Sequence, residues 1–267
     1  MSNSKICKVC ICLSTNYPAI PTEFLVSIFK LQQYFYEWVV RNKREDTLSI
    51  LIQGGYNLDK MRNSAVENVL VSGQTHLLFL DTDHEFPLKM IPMMIKDLED
   101  NPKAEAVTGI YTWKHEPYLP HIFPRFNTKT KKFTIAGAFP LNKLFYIAGA
   151  PAGCLMVKAE VFKRTKKPWF LFVDRGVDKK IPLGMGEDLY FFWKCQPKTI
   201  CDPRIICQHF YQKSISLEDY IKVNNLKVVN GNIKGTRNQF EKIVKKHKDF
   251  LSDSGAKARK KVFGGKS

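Results

Sequence analysis

Apolar and polar positions along the chain follow two alternating periods. Ile6–Leu13 is an apolar run ending in Ser14-Thr15-Asn16-Tyr17-Pro18, the pattern of a strand that empties into a loop. Pro21-Thr22-Glu23 then opens a segment in which Phe24, Leu25, Ile28, Phe29, Leu31, Phe35 and Val39 recur at helical spacing. Leu48–Ile52 predicts a second short strand, closed by Gly54-Gly55, and Leu58–Ser72 a second helix with Arg62 and Asn63 near its start. His76–Leu80 reads as a strand at the centre of a parallel sheet, buried on both faces, and runs directly into Asp81-Thr82-Asp83-His84. Leu88–Leu98 predicts a third helix and Ala104–Tyr111 a fourth strand.

The rhythm then breaks. Trp113–Leu144, rich in Pro, Lys and aromatics, reads as an insertion over the sheet. Phe145–Val157 returns as a strand carrying Gly149 and Gly153, with a short helix from Ala159. After Pro168-Trp169-Phe170 comes a polar loop, then Gly186-Glu187-Asp188 opens a helix through Cys195, and Thr199–Cys207 forms a last strand ending at His209. Strand–helix alternation of this kind predicts an α/β fold with a mostly parallel central sheet flanked by helices. The expected organisation is one domain over 1–211, with its insertion at about 113–144, and a basic helical or flexible extension over 212–267. No internal repeat is evident.

Composition narrows the class. Hydrophobic residues make up 44% of the 267 positions, enough for one substantial core. No run of eighteen apolar residues suggests a spanning helix, and Met1–Lys8 lacks a leader pattern, so a cytoplasmic chain is expected. The seven cysteines are odd in number and mostly flanked by apolar residues. Cys7-x-x-Cys10 has no partner pair at zinc-site spacing, so buried reduced thiols are expected. The net charge is +17, and Gln212–Ser267 alone holds fourteen Lys/Arg against five Asp/Glu. That asymmetry fits a polyanionic partner, nucleic acid or an acidic membrane surface, although a solubilising tail would look the same.

Three clusters can carry chemistry. Asp81 and Asp83 leave a buried strand where parallel sheets bind ligands, and two such carboxylates can hold a divalent ion; capping the next turn is the plainer reading. Glu187 and Asp188 begin an apolar helix, either as caps or as a general base with its partner. His209 follows the last strand and would complete a carboxylate–imidazole metal set, with His84 as the rival ligand.

In their order, these pieces resemble a known family. Met61-Arg62-Asn63, Leu77–Asp83, Val107–Tyr111, Gly149–Val157, Pro168-Trp169-Phe170, Gly186–Phe191 and His209 are together similar to inverting GT-A glycosyltransferases of the family-2 type. The similarity spans roughly residues 5–211 and is greatest to small soluble members common in bacteriophages. It implies a GT-A-like, Rossmann-like fold, a nucleotide-diphosphate sugar as donor, and Mn²⁺ or Mg²⁺. It also implies roles. Asp83 and His209 would ligate the metal, and Asp81 the metal or the donor ribose. Arg62 and Asn63 would lie near the nucleotide, and the loop of Ser14, Thr15 and Tyr17 near the base. Asp188 would be the general base and Glu187 an acceptor-side partner. Trp169 would shape a sugar or acceptor pocket or simply pack, and Gly149 and Gly153 would let backbone approach the substrate. Gln196-Pro197-Lys198 and the basic Val173–Met185 depart from the family pattern on the acceptor side, so acceptor identity does not carry over.

Charge favours an acceptor that is itself polyanionic. Lys129, Lys131, Lys132, Lys163–Lys167, Arg175–Lys180 and the tail with Lys257, Arg259, Lys260 and Lys261 could contact phosphates. Hydroxymethylated bases of phage DNA are the favoured acceptor, ahead of a surface or lipid-linked glycan or a protein. A metal-dependent nuclease and a non-catalytic DNA-binding module are the rivals from other classes.

Overall fold

The computed structural model describes residues 6–15, 20–55, 57–173, 185–210 and 214–249. Strands and helices alternate at first: β1 (Lys8–Thr15), α1 (Thr22–Arg41), β2 (Thr47–Gly54), α2 (Leu58–Val71) and β3 (His76–Asp81). A short β4 (His84–Glu85), α3 (Met90–Asp100) and β5 (Ala106–Ile110) follow. The segment expected as an insertion holds one hairpin, β6 (Arg125–Asn127) with β7 (Lys132–Thr134). Next come β8 (Phe145–Ile147), β9 (Cys154–Lys158), α4 (Ala159–Arg164), α5 (Glu187–Cys195) and β10 (Thr199–Ile206). The chain continues through β11 (Gln208–Phe210), β12 (Ser214–Ile215), α6 (Leu217–Val223), the hairpin β13 (Lys227–Val229) and β14 (Asn232–Lys234), and a helix over 237–249.

Seven strands form the central sheet in the order β2-β1-β3-β9-β5-β10-β8. Five of them point the same way, while β9 is antiparallel to both β3 and β5, and β8 is antiparallel to β10. This mostly parallel sheet, flanked by helices, is consistent with a Rossmann-like GT-A architecture. One expected strand, Phe145–Val157, is in fact two that lie apart in the sheet. Pro151 between them has no N–H for a ladder, and Gly149 bridges to Phe123 instead. β8 therefore closes one edge, and β9 crosses back to the middle.

Side chains alternate across the strands, as a period of two requires. Val9, Ile11 and Leu13 of β1 join Leu78 and Leu80 of β3 under α1 and α3. Cys10 and Cys12 face the opposite layer with Leu77, Phe79 and the α2 residues Ala65, Val66 and Val69. All seven cysteines are buried and outside any disulfide, and burial pushes the Cys7, Cys12 and Cys195 thiols up to about 11. They are packing residues rather than nucleophiles. Among the described residues, no helix is long and apolar enough to cross a membrane.

The described part of the region after residue 211 adds to the same core. Leu217, Tyr220, Leu226, Ile233 and Ile243 belong to the layer that contains α2. A capping box of Ser216 and Asp219 starts α6. The Tyr220 hydroxyl donates to the Gly137 carbonyl at 2.7 Å and Asn224 Nδ2 to the Pro117 carbonyl at 2.7 Å, fastening α6 to the inserted segment. His247 of the last helix is fully buried, with its ring 4.7 Å from that of Trp113.

Gly109 in β5 lies against β10 where the ladder between them shifts register. A Cβ there would sit 2.6 Å from Ile205 Cγ2 and 2.8 Å from the Ile205 carbonyl oxygen, a backbone atom that cannot swing away. Gly109→Ala should therefore destabilise the fold by about 1–3 kcal/mol, read as a lower midpoint in urea unfolding. An unchanged midpoint would mean that the β5–β10 contact is looser than this spacing implies.

Candidate functional site

The site gathers where β3 and β1 end. Asp81 closes β3 beside Ser14 of β1, and its backbone N–H donates to the Gly153 carbonyl at 3.1 Å. Arg62, in the first turns of α2, is 2% exposed and reaches two acids at once. Its Nη2 donates to Asp81 Oδ1 at 3.1 Å, and its Nη1 donates to Glu187 at the start of α5. Asp188 is half-buried, and its Oδ1 accepts the N–H of Leu189 at 2.7 Å. One guanidinium thus faces Asp81, Glu187 and Asp188, three carboxylates for a single positive charge.

That imbalance shapes the titration. Burial pushes the Glu187 carboxyl up to about 7 against the pull of Arg62, with Asp188 adding to the rise. Burial also raises Asp188, again opposed by Arg62. The nearby Tyr111 hydroxyl is raised well above its usual range, chiefly by burial, and accepts the Gly153 N–H at 3.0 Å. A Cβ on Gly153 would meet that hydroxyl at 2.6 Å and Asp81 Oδ2 at 2.7 Å. The glycine is therefore required by the protein's own groups, not only by whatever it binds.

Two residues further along the chain, a second cluster forms. β4 and β11 pair antiparallel with His84 opposite His209, and the two rings stack with centroids 4.1 Å apart. Asp83 Oδ1 lies 2.8 Å from His84 Nδ1, and Asp83 Oδ2 lies 3.5 Å from His209 Nε2. Ligand atoms of these three residues fall within 4.8 Å of one another, the spacing of a metal site. Burial would raise the Asp83 carboxyl, but hydrogen bonding and charge from the two histidines hold it far below the ordinary range. Burial itself keeps His84 low.

The chemistry of this donor set fits a metal ion. His209 Nδ1 donates to the Thr112 carbonyl at 2.7 Å, which turns Nε2 toward Asp83. Both groups are metal-ligand types, and an outer hydrogen bond to a backbone carbonyl is what orients a metal-binding imidazole. His84 is 1% exposed; its Nδ1 faces Asp83, while its Nε2 makes no hydrogen bond. A buried ring nitrogen of this kind is costly without a partner.

Other expected residues fall in different surroundings. Asn63 Oδ1 accepts the N–H of Trp169 at 2.8 Å, and Asn63 Nδ2 donates to the Phe170 carbonyl at 2.7 Å. Asn63 is thus spent pinning the Pro-Trp-Phe segment. Trp169 is buried, its indole N–H donating to the Phe162 and Thr165 carbonyls at 3.0 and 2.8 Å. Ser14 and Thr15 end β1 beside the acids, whereas Tyr17 and Arg175–Lys180 lie outside the described residues. Asp81 pairs with Arg62, and His84 takes the third place in the group with metal spacing. Lys163, Arg164 and Lys167 are engaged by Glu160, Glu105 and Glu67, while Lys129 and Lys132 of the β6–β7 hairpin are exposed.

The pattern reading overlooked Lys114. Its Nζ sits 2.6 Å from Asp83 Oδ2, the oxygen nearest His209. In a chain with 42 Lys and Arg, no local signal marked this one.

The raised carboxyl of Glu187 has a consequence for stability. A carboxyl that holds its proton more tightly when folded favours the fold fully below its unfolded value near 4.5, and that advantage is lost as pH rises through about 7. Glu187→Gln cannot titrate, so its stability relative to the unsubstituted protein should climb between about pH 4.5 and 7 in urea unfolding. Parallel pH profiles for the two proteins would show that folding leaves the proton affinity of Glu187 unchanged.

A comparison with protein-family models and with curated protein sequences gave no match. Among solved structures, the crystal structure of A197 from STIV superposes with a TM-score of 0.53 at 17% identity, over 79% of this chain and 91% of that one. At that identity the likeness is one of fold.

Proposed function

We propose that the chain is a metal-dependent glycosyltransferase that moves a sugar from a nucleotide-diphosphate donor to an acceptor hydroxyl with inversion. One observation carries this reading. A histidine–carboxylate group with an unmet ring nitrogen stands beside three carboxylates gathered on a buried arginine, all at the end of the sheet where α/β folds bind nucleotides.

Asp83, His84 and His209 would hold the ion, and two imidazoles favour Mn²⁺ over Mg²⁺. Such an ion, when bound, supplies positive charge to offset the charge that builds on a diphosphate leaving group. The remaining work belongs to the chain. Asp188 takes the proton from the acceptor hydroxyl, its burial bringing its affinity for a proton closer to what a general base needs. Glu187 and Arg62 hold the start of α5 against the end of β3. Asp81, fixed by the same guanidinium, would meet the donor ribose, and Ser14 and Thr15, at the end of the neighbouring strand, would lie near the base. Lys114 adds a cation at Asp83. The hydroxyl attacks the anomeric carbon in one displacement, the bond to the diphosphate breaks, and no sugar–enzyme bond forms.

For the acceptor, the reading extends to hydroxymethylated bases in phage DNA. A net charge of +17 exceeds what a sugar nucleotide requires, and the exposed Lys129 and Lys132 suit phosphate contacts. Reaching a base hydroxyl would require entry to the major groove or extrusion of the nucleotide.

Calorimetric titration with Mn²⁺ alone tests the metal assignment. Asp83→Ala should abolish binding, whereas Lys114→Met should tighten it, because ammonium and ion compete for the same carboxylate oxygen. Equal affinities in all three proteins would refute both roles. For the reaction, the protein is incubated with Mn²⁺, a panel of sugar nucleotides, and unmodified or hydroxymethylated DNA, then the DNA is digested and its nucleosides weighed. Added hexose or pentose mass on the hydroxymethylated base is expected, and Asp188→Asn should reduce it about 10²–10⁴-fold while donor binding persists. Release of nucleotide diphosphate without DNA modification would move the acceptor elsewhere, and cleavage of plasmid instead of transfer would replace the proposal with a nuclease.

A further inference from the structure

We infer that one flank of α1 and the free edge of β2 form a surface on which two copies of this chain pair. The buried stripe of α1 is Phe24, Ser27, Ile28, Leu31, Phe35 and Val39. Leu25, Phe29, Tyr36 and Val40 are exposed by 37%, 65%, 42% and 77%, although each is large and apolar. At 3.6 residues per turn these four fall within about 60° of one another, directly beside the buried stripe. A helix that meets only its own sheet has no need of this second apolar flank.

The flank lies next to β2. The Tyr36 hydroxyl donates to the Leu48 carbonyl at 3.1 Å, tying the helix to the strand. Leu48, Ile50 and Ile52 share one face of β2, and the last two are 36% and 61% exposed. Among the described residues β2 ends the sheet, with β1 as its one neighbour. Thr47 and Gly55 donate their N–H groups to β1, so the alternation along a parallel ladder leaves the peptide groups of Leu48, Ile50, Ile52 and Gly54 directed outward. Solitary edge strands are usually blunted by a charge, a proline or a bulge. Thr47–Gly54 has none of these, and its eight residues pair with β1 in unbroken register.

Charge selects the occupant. Across α1, Glu23 and Glu37 balance Lys30 and Arg41, and β2 has no charged residue. This face is therefore neutral in a chain of net charge +17, so two copies can meet here without the repulsion other approaches would bring. A polyanion gains nothing from it. Antiparallel pairing of β2 with β2 about a two-fold axis satisfies the outward peptide groups, and brings Ile50 and Ile52 of one copy against those of the other.

Sedimentation velocity of the full chain at micromolar concentration provides the test, and it does not depend on any enzymatic reading. A species of twice the 30.8 kDa chain mass is expected. Phe29→Glu and Ile52→Lys, both at exposed positions, should each raise the dissociation constant by at least about thirtyfold while circular dichroism stays unchanged. Tyr146→Glu, on β8 at the opposite edge of the sheet, should leave the dimer intact. A monomeric parent protein, or a dimer that survives both α1–β2 substitutions, would overturn the inference. If one variant misfolds, the other decides.

Discussion

A guanidinium removed from water must be matched by negative charge, and Arg62 is matched more than once. It is 2% exposed, yet it faces Asp81 from β3 and both Glu187 and Asp188 from α5. Removing either bound carboxylate would leave a buried charge partly uncompensated, a loss measured in several kcal/mol for such pairs. The arrangement ties α2, β3 and α5 together at the mouth of the sheet. It also sets three carboxyls against one cation, and burial raises both the Glu187 carboxyl, up to about 7, and that of Asp188.

The second cluster depends on a different device. A two-strand ladder between β4 and β11 sets His84 against His209, and the Thr112 carbonyl orients the latter ring. Thr112 lies just beyond β5, where Lys114 also leaves the chain to meet Asp83. The same stretch is backed by the last helix, since Trp113 packs on His121 and on the buried His247. Residues far along the chain thus stiffen the wall of the site, although they contribute no ligand to it.

Much of this was legible in the sequence. A period of two or 3.6 is imposed by neighbours in the chain, so the strand–helix alternation from β1 to β5 could be read from Ile6–Leu13 through Ala104–Tyr111. The acids after β3 and at the start of α5, Arg62, and the histidine after the last long strand were likewise visible as residues at element ends. Where the pattern misled, backbone chemistry explains it. Phe145–Val157 looked like one strand because its apolar residues are continuous, but Pro151 and the glycines around it divide the run between an edge and the centre of the sheet.

What the tertiary structure alone decided is who meets whom. Asn63 holds the segment that carries Trp169, and His84 and His209, which looked like rivals, stand side by side. Arg62 and Glu187 are separated by 125 positions, and no local period relates such a pair. Along a chain, hydrophobic periodicity specifies which face of an element is buried. Contacts between polar ends depend on how elements stack and in what register, and that is settled only when the whole sheet closes and each buried charge must find its partner.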